Sequence, residues 1–546
     1  MPFDAQFVRK LETALHLCRM DDGISLLTRA QDEIGELQPG IPEAGRILLL
    51  CARWIDAGFS DYRLLLPLLE RFGPQCRKKM PFIDYVRVRM VNAFVDLARG
   101  ELDAAMETLD SLLKILGDVF DAELEALAHF WKGRAHRKNG EYEAALEQMA
   151  SAHRLARDND KFLAAQVEIQ QSWLLFQKGQ VRDAEQLLNR AESVLRSTDH
   201  YVALGNIESA RGRIVRRSGQ YTEALRHFAK AVETYAKRDA NHVNLARTLV
   251  NAAYVRRLLA LQMRKQIDAD ARAGRGRARS EEHTGGAQRT VFLRYQRICH
   301  EAAQDLAQAR RIYALHANSD GAGKVSLSLG YLHLDRGEIE NAEREAGEGY
   351  RIGAEQKDRI LMARARTLQS MIENAHVEEQ TGDTVELASH ANRAKQFGEE
   401  ATTLAHGTQN RRLLAAACIA RGMTAANDFF EDWESARDLA AQATGLIGPG
   451  ETDHLVEDLA RLKAQIVRAS GINDVLRGWS EGLVGSKSFQ QVVEEFAEMV
   501  IPRVWIRQDR KISRVATSLC ISPKKVRRIL RNSGYIGTHK KPLKEH

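Results

Sequence analysis

The stretch 131–152, WKGRAHRKNGEYEAALEQMASA, decides how most of this chain folds. Its pattern predicts two antiparallel helices that meet at Gly140, because glycine adopts the backbone conformation of a tight turn at little cost. On the second helix, Ala145 and Met149 recur at a helical spacing and place a small and a large side chain on one face. We therefore expect a helical hairpin whose two helices pack closely together.

The same pattern recurs along the sequence, and self-similarity at a fixed period is typical of repeat proteins. In each copy a glycine is followed two residues later by an apolar residue and five residues later by alanine. The glycines that begin these copies are Gly100, Gly140, Gly179, Gly219 and Gly337. Because each hairpin leaves an apolar face that only a neighbouring hairpin covers, we predict an all-α solenoid of about nine to eleven antiparallel helix pairs over residues 1–470.

This G-x-[YVLI]-x-x-A pattern, with its later apolar positions, resembles the tetratricopeptide repeat (TPR). The resemblance implies a TPR-like α-solenoid whose concave face binds a protein or peptide partner. The turn glycines from Gly100 to Gly219 lie about 40 residues apart, which exceeds the usual repeat length of about 34 residues. Another type of α-solenoid is therefore an open alternative.

Two asparagines on a predicted first helix are candidates for the peptide-binding site. Asn244 and Asn251 lie in the stretch NLARTLVNAAYVRR, where amide side chains can hydrogen bond to the backbone of an extended peptide. The alternative is that Asn251 forms only a local bond within its own helix.

One repeat is interrupted by an insertion. The sequence RKQIDADARAGRGRARSEEHTGGAQRT separates the predicted helices 244–262 and 295–311 and is rich in Gly, Arg and Ala. We expect a flexible basic loop over residues 263–290, and a tolerated insertion is its simplest interpretation.

Near the C-terminus, the stretch 511–534, KISRVATSLCISPKKVRRILRNSG, predicts two short helices around a tight turn. Apolar residues at helical spacing mark the buried faces: Ile512, Val515, Ala516 and Leu519 in the first helix, and Val526, Ile529 and Leu530 in the second. Ser522 suits the N-cap of the second helix, and Pro523 suits its first position. Gly534 then provides a C-terminal stop. This order of signals is typical of a helix-turn-helix.

The second of these helices carries cations on the side opposite its apolar face. Lys524, Arg528 and Arg531 point outward, as a ridge that enters the major groove requires. Lys525 and Arg527 lie on the two flanks, where cations can contact phosphates. The alternative interpretation is a solvated basic helix on the surface of a structural protein.

The stretch 489–535 resembles the DNA-binding domain of Fis-type regulators, with a long helix, a short break, a helix with a central alanine, a turn and a basic helix. The resemblance implies a DNA-binding domain over 489–536, and the residues expected to contact DNA are Ser522, Lys524, Lys525, Arg527, Arg528 and Arg531. Of these, Lys524 and Arg528 are the candidates for guanine edges, and Lys525, Arg527 and Arg531 for phosphates. Because Fis-type domains dimerise through their long helices, it also implies a homodimer through Phe489–Arg507; the alternative is that this helix packs on the last repeat. Cys520 departs from the family's turn glycine and would be strained at a positive φ.

The distribution of charge agrees with this division of the chain. The sequence has 80 Lys and Arg against 73 Asp and Glu, of which 14 and 5 lie from Lys487 onward, leaving 66 and 68 in the remainder. The positive excess therefore belongs to the C-terminal region, as expected for a nucleic-acid module joined to a nearly neutral body. The glycine-rich residues 471–488 predict a linker, and residues 537–546 predict a basic disordered tail.

Several classes of protein are disfavoured by the composition. The six cysteines are scattered without a C-x-x-C pair, which indicates reduced thiols in a cytoplasmic protein and no metal site. No stretch of about 18 uncharged apolar residues is present, so we expect no membrane span. Neither a catalytic constellation nor a G-x-x-x-x-G-K-[ST] phosphate loop occurs, and we therefore expect neither an enzyme nor a bound cofactor.

These observations predict a bacterial transcriptional regulator that binds double-stranded DNA through its C-terminal helix-turn-helix. Its TPR-like repeats would bind a protein or peptide partner in their groove. The alternative is a TPR-type interaction scaffold whose basic tail docks on a protein partner without binding DNA.

Overall fold

The computed structural model describes residues 5–59, 61–119, 121–275, 281–380, 382–448, 450–469, 479 and 485–536. The described residues form helices and connecting turns, without a β-strand. The chain divides into two compact units, residues 1–463 and 464–546. Sequence analysis placed the end of the solenoid at residue 470, whereas this division falls within the helix His454–Ala469. The predicted linker lies almost entirely outside the described residues, and the predicted tail lies wholly outside them.

The first unit begins with short helices and continues as regular hairpins. The N-terminal elements are α1 (Ala5–His16), α2 (Met20–Arg29), α3 (Gln31–Gly35), α4 (Ala44–Asp56), a 3-10 turn (Tyr62–Leu65), α5 (Leu66–Arg71) and α6 (Pro74–Arg77). The hairpins are α7 (Phe82–Arg99) with α8 (Leu102–Val119), α9 (Ala122–Asn139) with α10 (Tyr142–Ala156), α11 (Lys161–Gln177) with α12 (Val181–Leu195), α13 (Tyr201–Arg217) with α14 (Tyr221–Ala236), α15 (Val243–Arg275) with α16 (Glu281–Leu315), α17 (Ser319–Asp335) with α18 (Ile339–Glu355), α19 (Arg359–Glu378) with α20 (Thr384–His406), and α21 (Arg411–Ala425) with α22 (Trp433–Leu446). The helix α23 (His454–Ala469) follows them.

The predicted turn glycines end the first helices of their hairpins. Gly100, Gly140, Gly179, Gly219 and Gly337 all have φ between 72° and 92°. This left-handed conformation costs a residue with a side chain about 1–2 kcal/mol, whereas glycine adopts it freely. The N–H of Gly140 donates to the carbonyl of Arg137 at 3.3 Å, and the N–H of Glu141 donates to that of His136 at 2.9 Å, so both bond to the end of α9. The predicted hairpin turns are therefore confirmed.

Small residues allow the two helices of a hairpin to approach closely. Ala145 and Met149 of α10 are fully buried, and so is Ala135 on the facing α9. A Cβ atom at Gly133 would lie 2.9 Å from the terminal methyl group of Met149, so the larger side chain fills the space that glycine leaves. This packing supports the predicted all-α solenoid of antiparallel helix pairs.

The N-terminal repeats are less regular than the later ones. Helices α1 and α2 contact each other as a short pair, but residues 44–72 form only part of a helical hairpin. Its first member is α4, and its second is replaced by the 3-10 turn and α5. Pro67 sits in the first turn of α5 and has no backbone N–H, so one continuous helix through this segment would lose a hydrogen bond.

Later repeats return to contact earlier ones. The backbone N–H of Gln409 donates to the carbonyl oxygen of Gly140 at 2.9 Å. The ring Nδ1 of His316 lies 3.2 Å from the carboxylate of Asp61, 255 positions earlier in the chain. First helices of consecutive hairpins also contact each other, as α13 does with α11 and α15. The superhelix of the first unit therefore closes on itself, and its first helices line the inside.

The insertion differs from its prediction as a flexible loop over 263–290. The helix α15 continues through residue 275 and α16 begins at residue 281, so the described parts of this segment are helical. Alanine, arginine, glutamine and lysine are strong helix formers and outnumber the glycines here, and both helices extend from a packed hairpin. Residues 276–280 lie outside the described residues.

The second unit contains a long helix, α24 (Phe489–Arg507), and two short helices, α25 (Ile512–Ser518) and α26 (Pro523–Asn532). The buried residues of its core are Ile501, Val515, Ala516, Val526, Ile529 and Leu530. The last five belong to the apolar faces predicted from sequence. One side of α24 completes this core with Ile501 and the partly buried Val504 and Trp505.

Among the described helices, none combines the length and the apolar character that crossing a bilayer requires.

The close approach of paired helices makes a testable difference between two helical glycines. A Cβ atom at Gly212 of α13 would lie 2.6 Å from the ring of Phe228. The corresponding position at Gly347 of α18 is open, with no side chain of the described residues within 4 Å, its two chain neighbours aside. We expect Gly212→Ala to destabilise the protein by about 1–3 kcal/mol through overpacking. Gly347→Ala should instead stabilise it by up to about 1 kcal/mol through helix propensity.

Thermal unfolding of the full chain, followed by circular dichroism at 222 nm, measures both changes. Equal shifts of the unfolding midpoint for the two variants would contradict the packing described for α13 and α14.

Candidate functional sites

The turn between α25 and α26 has the geometry that the sequence predicted, with one strained residue. The N–H of Ile521 donates to the carbonyl of Ala516 at 3.0 Å, and the N–H of Cys520 donates to that of Thr517 at 3.3 Å. This pair of hydrogen bonds is a Schellman motif, which requires a residue in the left-handed conformation directly after the end of the helix. Cys520 occupies that position with φ 52°. The strain expected for a non-glycine residue at this turn is therefore present.

The start of α26 agrees with its predicted capping signals. The hydroxyl of Ser522 accepts a hydrogen bond from the N–H of Lys525 at 3.2 Å, and Pro523 occupies the first turn. At the other end, Gly534 has φ 76° and lies two residues beyond the helix. A Schellman bond from the N–H of Tyr535 to the carbonyl of Leu530 closes this end. Both ends of α26 are therefore set by local sequence.

The cations predicted for α26 form an exposed ridge opposite its buried face. We define the ridge by its five exposed members, Lys524, Lys525, Arg527, Arg528 and Arg531. Val526, Ile529 and Leu530 occupy the opposite face and are almost completely buried. Packing of the apolar face therefore fixes the direction in which the ridge points.

One member of the ridge has an acidic partner. The guanidinium of Arg528 pairs with the carboxylate of Glu494 on α24. Among the described residues, no carboxylate lies within 4.0 Å of the charged groups of the other four members. Since both partners are about half exposed, the Arg528–Glu494 pair contributes at most about 1 kcal/mol and can open to admit another anion. Sequence analysis did not anticipate this pair.

The apolar surface of α24 is divided along its length. Val504 contributes to the core of the second unit. Phe489, Val493 and Phe496, in the first half of the helix, are 86%, 41% and 48% exposed. Exposed apolar side chains grouped on one helix are typical of an interaction surface.

In the first unit, both predicted peptide contacts lie on α15. The side-chain amide of Asn251 donates to the carbonyl of Arg247 at 3.0 Å, which is the local bond considered as the alternative role of this residue. Asn244 is half-buried one turn before Thr248, whose hydroxyl donates to the Asn244 carbonyl. Between the two asparagines, Arg247 reaches Asn206 of α13 at 3.1 Å.

The arginines of the first helices were not predicted as functional residues from the sequence. Their sequence signal is clusters such as RGRIVRR in α13, where basic residues lie beside small and apolar residues that are buried. Arg213, Arg216 and Arg217 belong to this cluster. Burial lowers the pKa of Arg217 to about 9, with repulsion from Arg412 as the next cause.

One group of side chains in the first unit has the composition of a cation site. His16, Glu123 and Asp160 bring their ligand atoms within 4.8 Å of one another. Arg53 already pairs with both carboxylates and lies 3.2 Å from that of Asp160. A hydrogen bond with His16 is the first cause that lowers the pKa of Glu123, to about 2. The guanidinium and the imidazole thus supply the positive charge that these carboxylates need.

Comparisons with known proteins find similar folds but no family. The sequence matches no protein-family model and no curated protein. A Rap protein solved with competence and sporulation factor is 13% identical with a TM-score of 0.44, covering 77% of this chain and 99% of that one. The quorum sensor NprR from B. thuringiensis is 17% identical with a TM-score of 0.37, covering 64% and 98%.

The third similar structure is a signal-transduction ATPase with numerous domains and a tetratricopeptide-repeat sensor, from Pyrococcus horikoshii. It is 12% identical with a TM-score of 0.40, and the match covers 74% of this chain and 55% of that one. Likeness at this level concerns the TPR-like helical-repeat fold alone.

The strained turn predicts that Cys520→Gly stabilises the second unit. Glycine adopts the left-handed conformation without the strain of about 1–2 kcal/mol that a side chain causes. Its greater backbone entropy in the unfolded chain opposes this gain by about 0.5–1 kcal/mol. Hydrogen exchange of the full chain should show slower exchange in peptides covering α25 and α26. Cys520→Ala removes the thiol but keeps the strain, so it should leave exchange unchanged; equal protection in both variants would contradict this account.

Proposed function

We propose that this protein is a DNA-binding transcriptional regulator in which the second unit contacts duplex DNA and the TPR-like repeats bind a protein or peptide partner. The observation that carries the proposal is the exposed ridge of α26. It combines five cations on one face with a buried apolar face, a capped start and a tight preceding turn. A helix placed in the major groove needs this combination of rigid support and outward positive charge.

The contacts divide by position along the ridge. Lys524 lies in the first turn of α26, the part of a recognition helix that reaches base edges. Arg528 lies one turn further on and would exchange Glu494 for a guanine edge or a phosphate. Lys525, Arg527 and Arg531 are assigned to phosphates, and Ser522 keeps its hydroxyl at the helix start.

A homodimer through α24 is the second part of the proposal. Phe489, Val493 and Phe496 form an exposed apolar stripe on the half of this helix that does not build the core of its own unit. A second copy of the same helix would cover the stripe with an identical one, as a two-fold symmetric interface requires. Two ridges carried by one dimer would then address two half-sites on the duplex.

DNA binding is tested with the full chain and random-sequence duplexes by fluorescence anisotropy over a range of salt concentrations. Because phosphate contacts release counterions, we expect Arg527→Ala to weaken binding on all sequences and to reduce the slope of log K against log salt by about 1. Lys524→Ala should cost about 1–3 kcal/mol on a selected site and relax its sequence preference.

Arg226→Ala is the matched control, since Arg226 is an exposed arginine in an i,i+3 ion pair on α14 of the first unit. It should leave both affinity and salt slope unchanged. Absence of duplex binding by the unmodified chain at low salt would overturn the DNA-binding part of the proposal.

The dimer is tested by light scattering coupled to size-exclusion chromatography. Phe496→Glu places a charge within the stripe, and we expect it to convert a dimer to a monomer because an unpaired charge buried at an interface is strongly unfavourable. Phe82→Glu is the control, because Phe82 is 55% exposed at the start of α7 in the first unit. A monomeric unmodified chain would rule the dimer out.

A further inference from the structure

The inside of the first unit brings together arginines that are distant in sequence. We call them the inner arginine cluster: Arg137 of α9, Arg213 and Arg216 of α13, Arg247 of α15 and Arg364 of α19. Repulsion from Arg247 contributes to a lowered pKa of Arg137 and of Arg213, and repulsion from Arg364 does the same for Arg216. Contacts between neighbouring first helices agree with this: Arg216 of α13 lies over the ring of Tyr254 on α15 at 5.0 Å, and Arg247 of α15 reaches Asn206 of α13 at 3.1 Å.

Within the described part of the chain, the members of this cluster form no ion pair with an acidic residue. Among the described residues, no carboxylate lies within 4.0 Å of their guanidinium groups. Ion pairs within this distance are common elsewhere in the unit. The carboxylates nearby are engaged by other cations: Asp56 by Arg134, Asp320 by Lys324, Asp335 by Arg257, and Glu451 and Asp453 by Arg412. Asp320 also attracts Arg137 electrostatically, but it forms its ion pair with Lys324. Positive charge is thus left over inside the superhelix.

Several hydrogen-bond donors of the cluster are unused. The Nε atoms of Arg137, Arg216 and Arg247 are buried and have no partner among the described residues. A buried donor without a partner costs about 1–3 kcal/mol, and more when it is charged. All five residues are half-buried, so part of each side chain is accessible from the inside of the superhelix. An acceptor entering that space would recover this cost.

The arginines remain charged at neutral pH. Burial, followed by repulsion from Arg247, lowers the pKa of Arg137 to about 10 and that of Arg213 to about 9. Both values are above 7, so the site carries full positive charge in its unliganded form. Like charges held close in protein surroundings repel more strongly than they would in water.

The aromatic rings beside the cluster help to distinguish between classes of anion. The guanidinium of Arg137 lies over the ring of Trp173 at 5.1 Å, and that of Arg216 lies over the ring of Tyr254 at 5.0 Å. A single-stranded nucleic acid needs such faces for its bases. Here a guanidinium lies over each ring, whereas the Nε donors of Arg137, Arg216 and Arg247 have no partner among the described residues. Guanidinium groups match the geometry of a carboxylate.

The neighbouring polar groups suit a polypeptide backbone. The side-chain oxygen of Asn206 accepts hydrogen bonds from the guanidinium of Arg247 and from the hydroxyl of Tyr235. Its amide N–H groups, like the side chain of Asn244 one repeat further on, are of the kind that bonds backbone carbonyls.

We infer that the inner arginine cluster is a binding site for the carboxylates of an acidic peptide segment held inside the superhelix. The inference deepens the peptide-partner half of the proposed function and rests on it. It does not depend on the DNA-binding half, because the cluster lies entirely within the first unit. Paired to carboxylates, the unused guanidinium edges gain charge-assisted hydrogen bonds and the mutual repulsion of the arginines is relieved.

The test uses the full chain and a fluorescein-labelled ten-residue peptide of alternating glutamate and glycine, with anisotropy as the readout. We expect saturable binding that Arg213→Gln and Arg247→Gln each weaken about tenfold, since each removes charge-assisted hydrogen bonds. Arg213→Lys keeps the charge but not the planar fork, and its affinity should fall between those of the unmodified chain and Arg213→Gln. Arg226→Gln on the exposed side of α14 is the matched control and should bind normally.

Two further measurements separate a binding role from a structural one. Unfolding midpoints of the two glutamine variants should equal or exceed that of the unmodified chain, because the substitutions relieve repulsion; a lowered midpoint with normal peptide affinity would assign the arginines to the fold and overturn the inference. A Lys524→Gln, Arg527→Gln variant should bind the peptide normally. Loss of binding in that variant alone would place the peptide on the second unit and also overturn it.

Competing probes settle the class of anion. A ten-residue oligothymidylate and tripolyphosphate should displace the peptide poorly, and a lysine–glycine peptide should not bind. Tighter binding of the oligonucleotide, dependent on Arg213 and Arg247, would replace the acidic peptide by a nucleic acid. Absence of peptide binding with intact binding of duplex DNA would refute this inference while leaving the DNA-binding half of the proposed function in place.

Discussion

Close approach of paired helices is the constraint on which the first unit depends. Small residues on one helix leave space that large side chains of the other fill, as Gly133 does for Met149 and Gly212 for Phe228. A left-handed glycine at the tip of such hairpins lets the chain reverse without strain. Each hairpin still has an apolar face to cover, so hairpins stack, and their first helices gather on the inside of the superhelix. Larger residues at Gly133 or Gly212 would clash with the facing side chains and force the paired helices apart.

Positive charge has different physical surroundings in the two units. On α26 the cations are exposed to solvent, where salt screens them over about 8–10 Å. Such a surface suits a polyanion that is bound through many weak contacts and released counterions. Inside the first unit, the arginines are enclosed and screened much less, and their donors are partly unused. Such a site suits a few well-placed carboxylates. The two proposed anion sites therefore differ in how their cations are screened and in whether their hydrogen-bond donors are used.

Much of the fold follows from local patterns. The spacing of glycine and alanine predicted the hairpins and their turns, and apolar periodicity predicted the buried faces of α25 and α26. Capping residues such as Ser522 and Gly534 act on atoms a few positions away, so their roles are visible without a structure. The helical course of the insertion was not predicted, because its glycines and charges suggested disorder while flanking helices packed in a hairpin can extend into such a segment.

The sequence by itself determined the helical repeats, the tight turn at Cys520 and the direction of the ridge on α26, because each depends on residues within a turn or two of one another. Only the tertiary structure decided which charges meet. The pairing of Arg528 with Glu494 in the second unit, and the hydrogen bond from Gln409 to Gly140 in the first, each require a particular packing of whole helices. These contacts join residues far apart in the sequence, so the packing of the helices, and not local spacing, sets the distance between them.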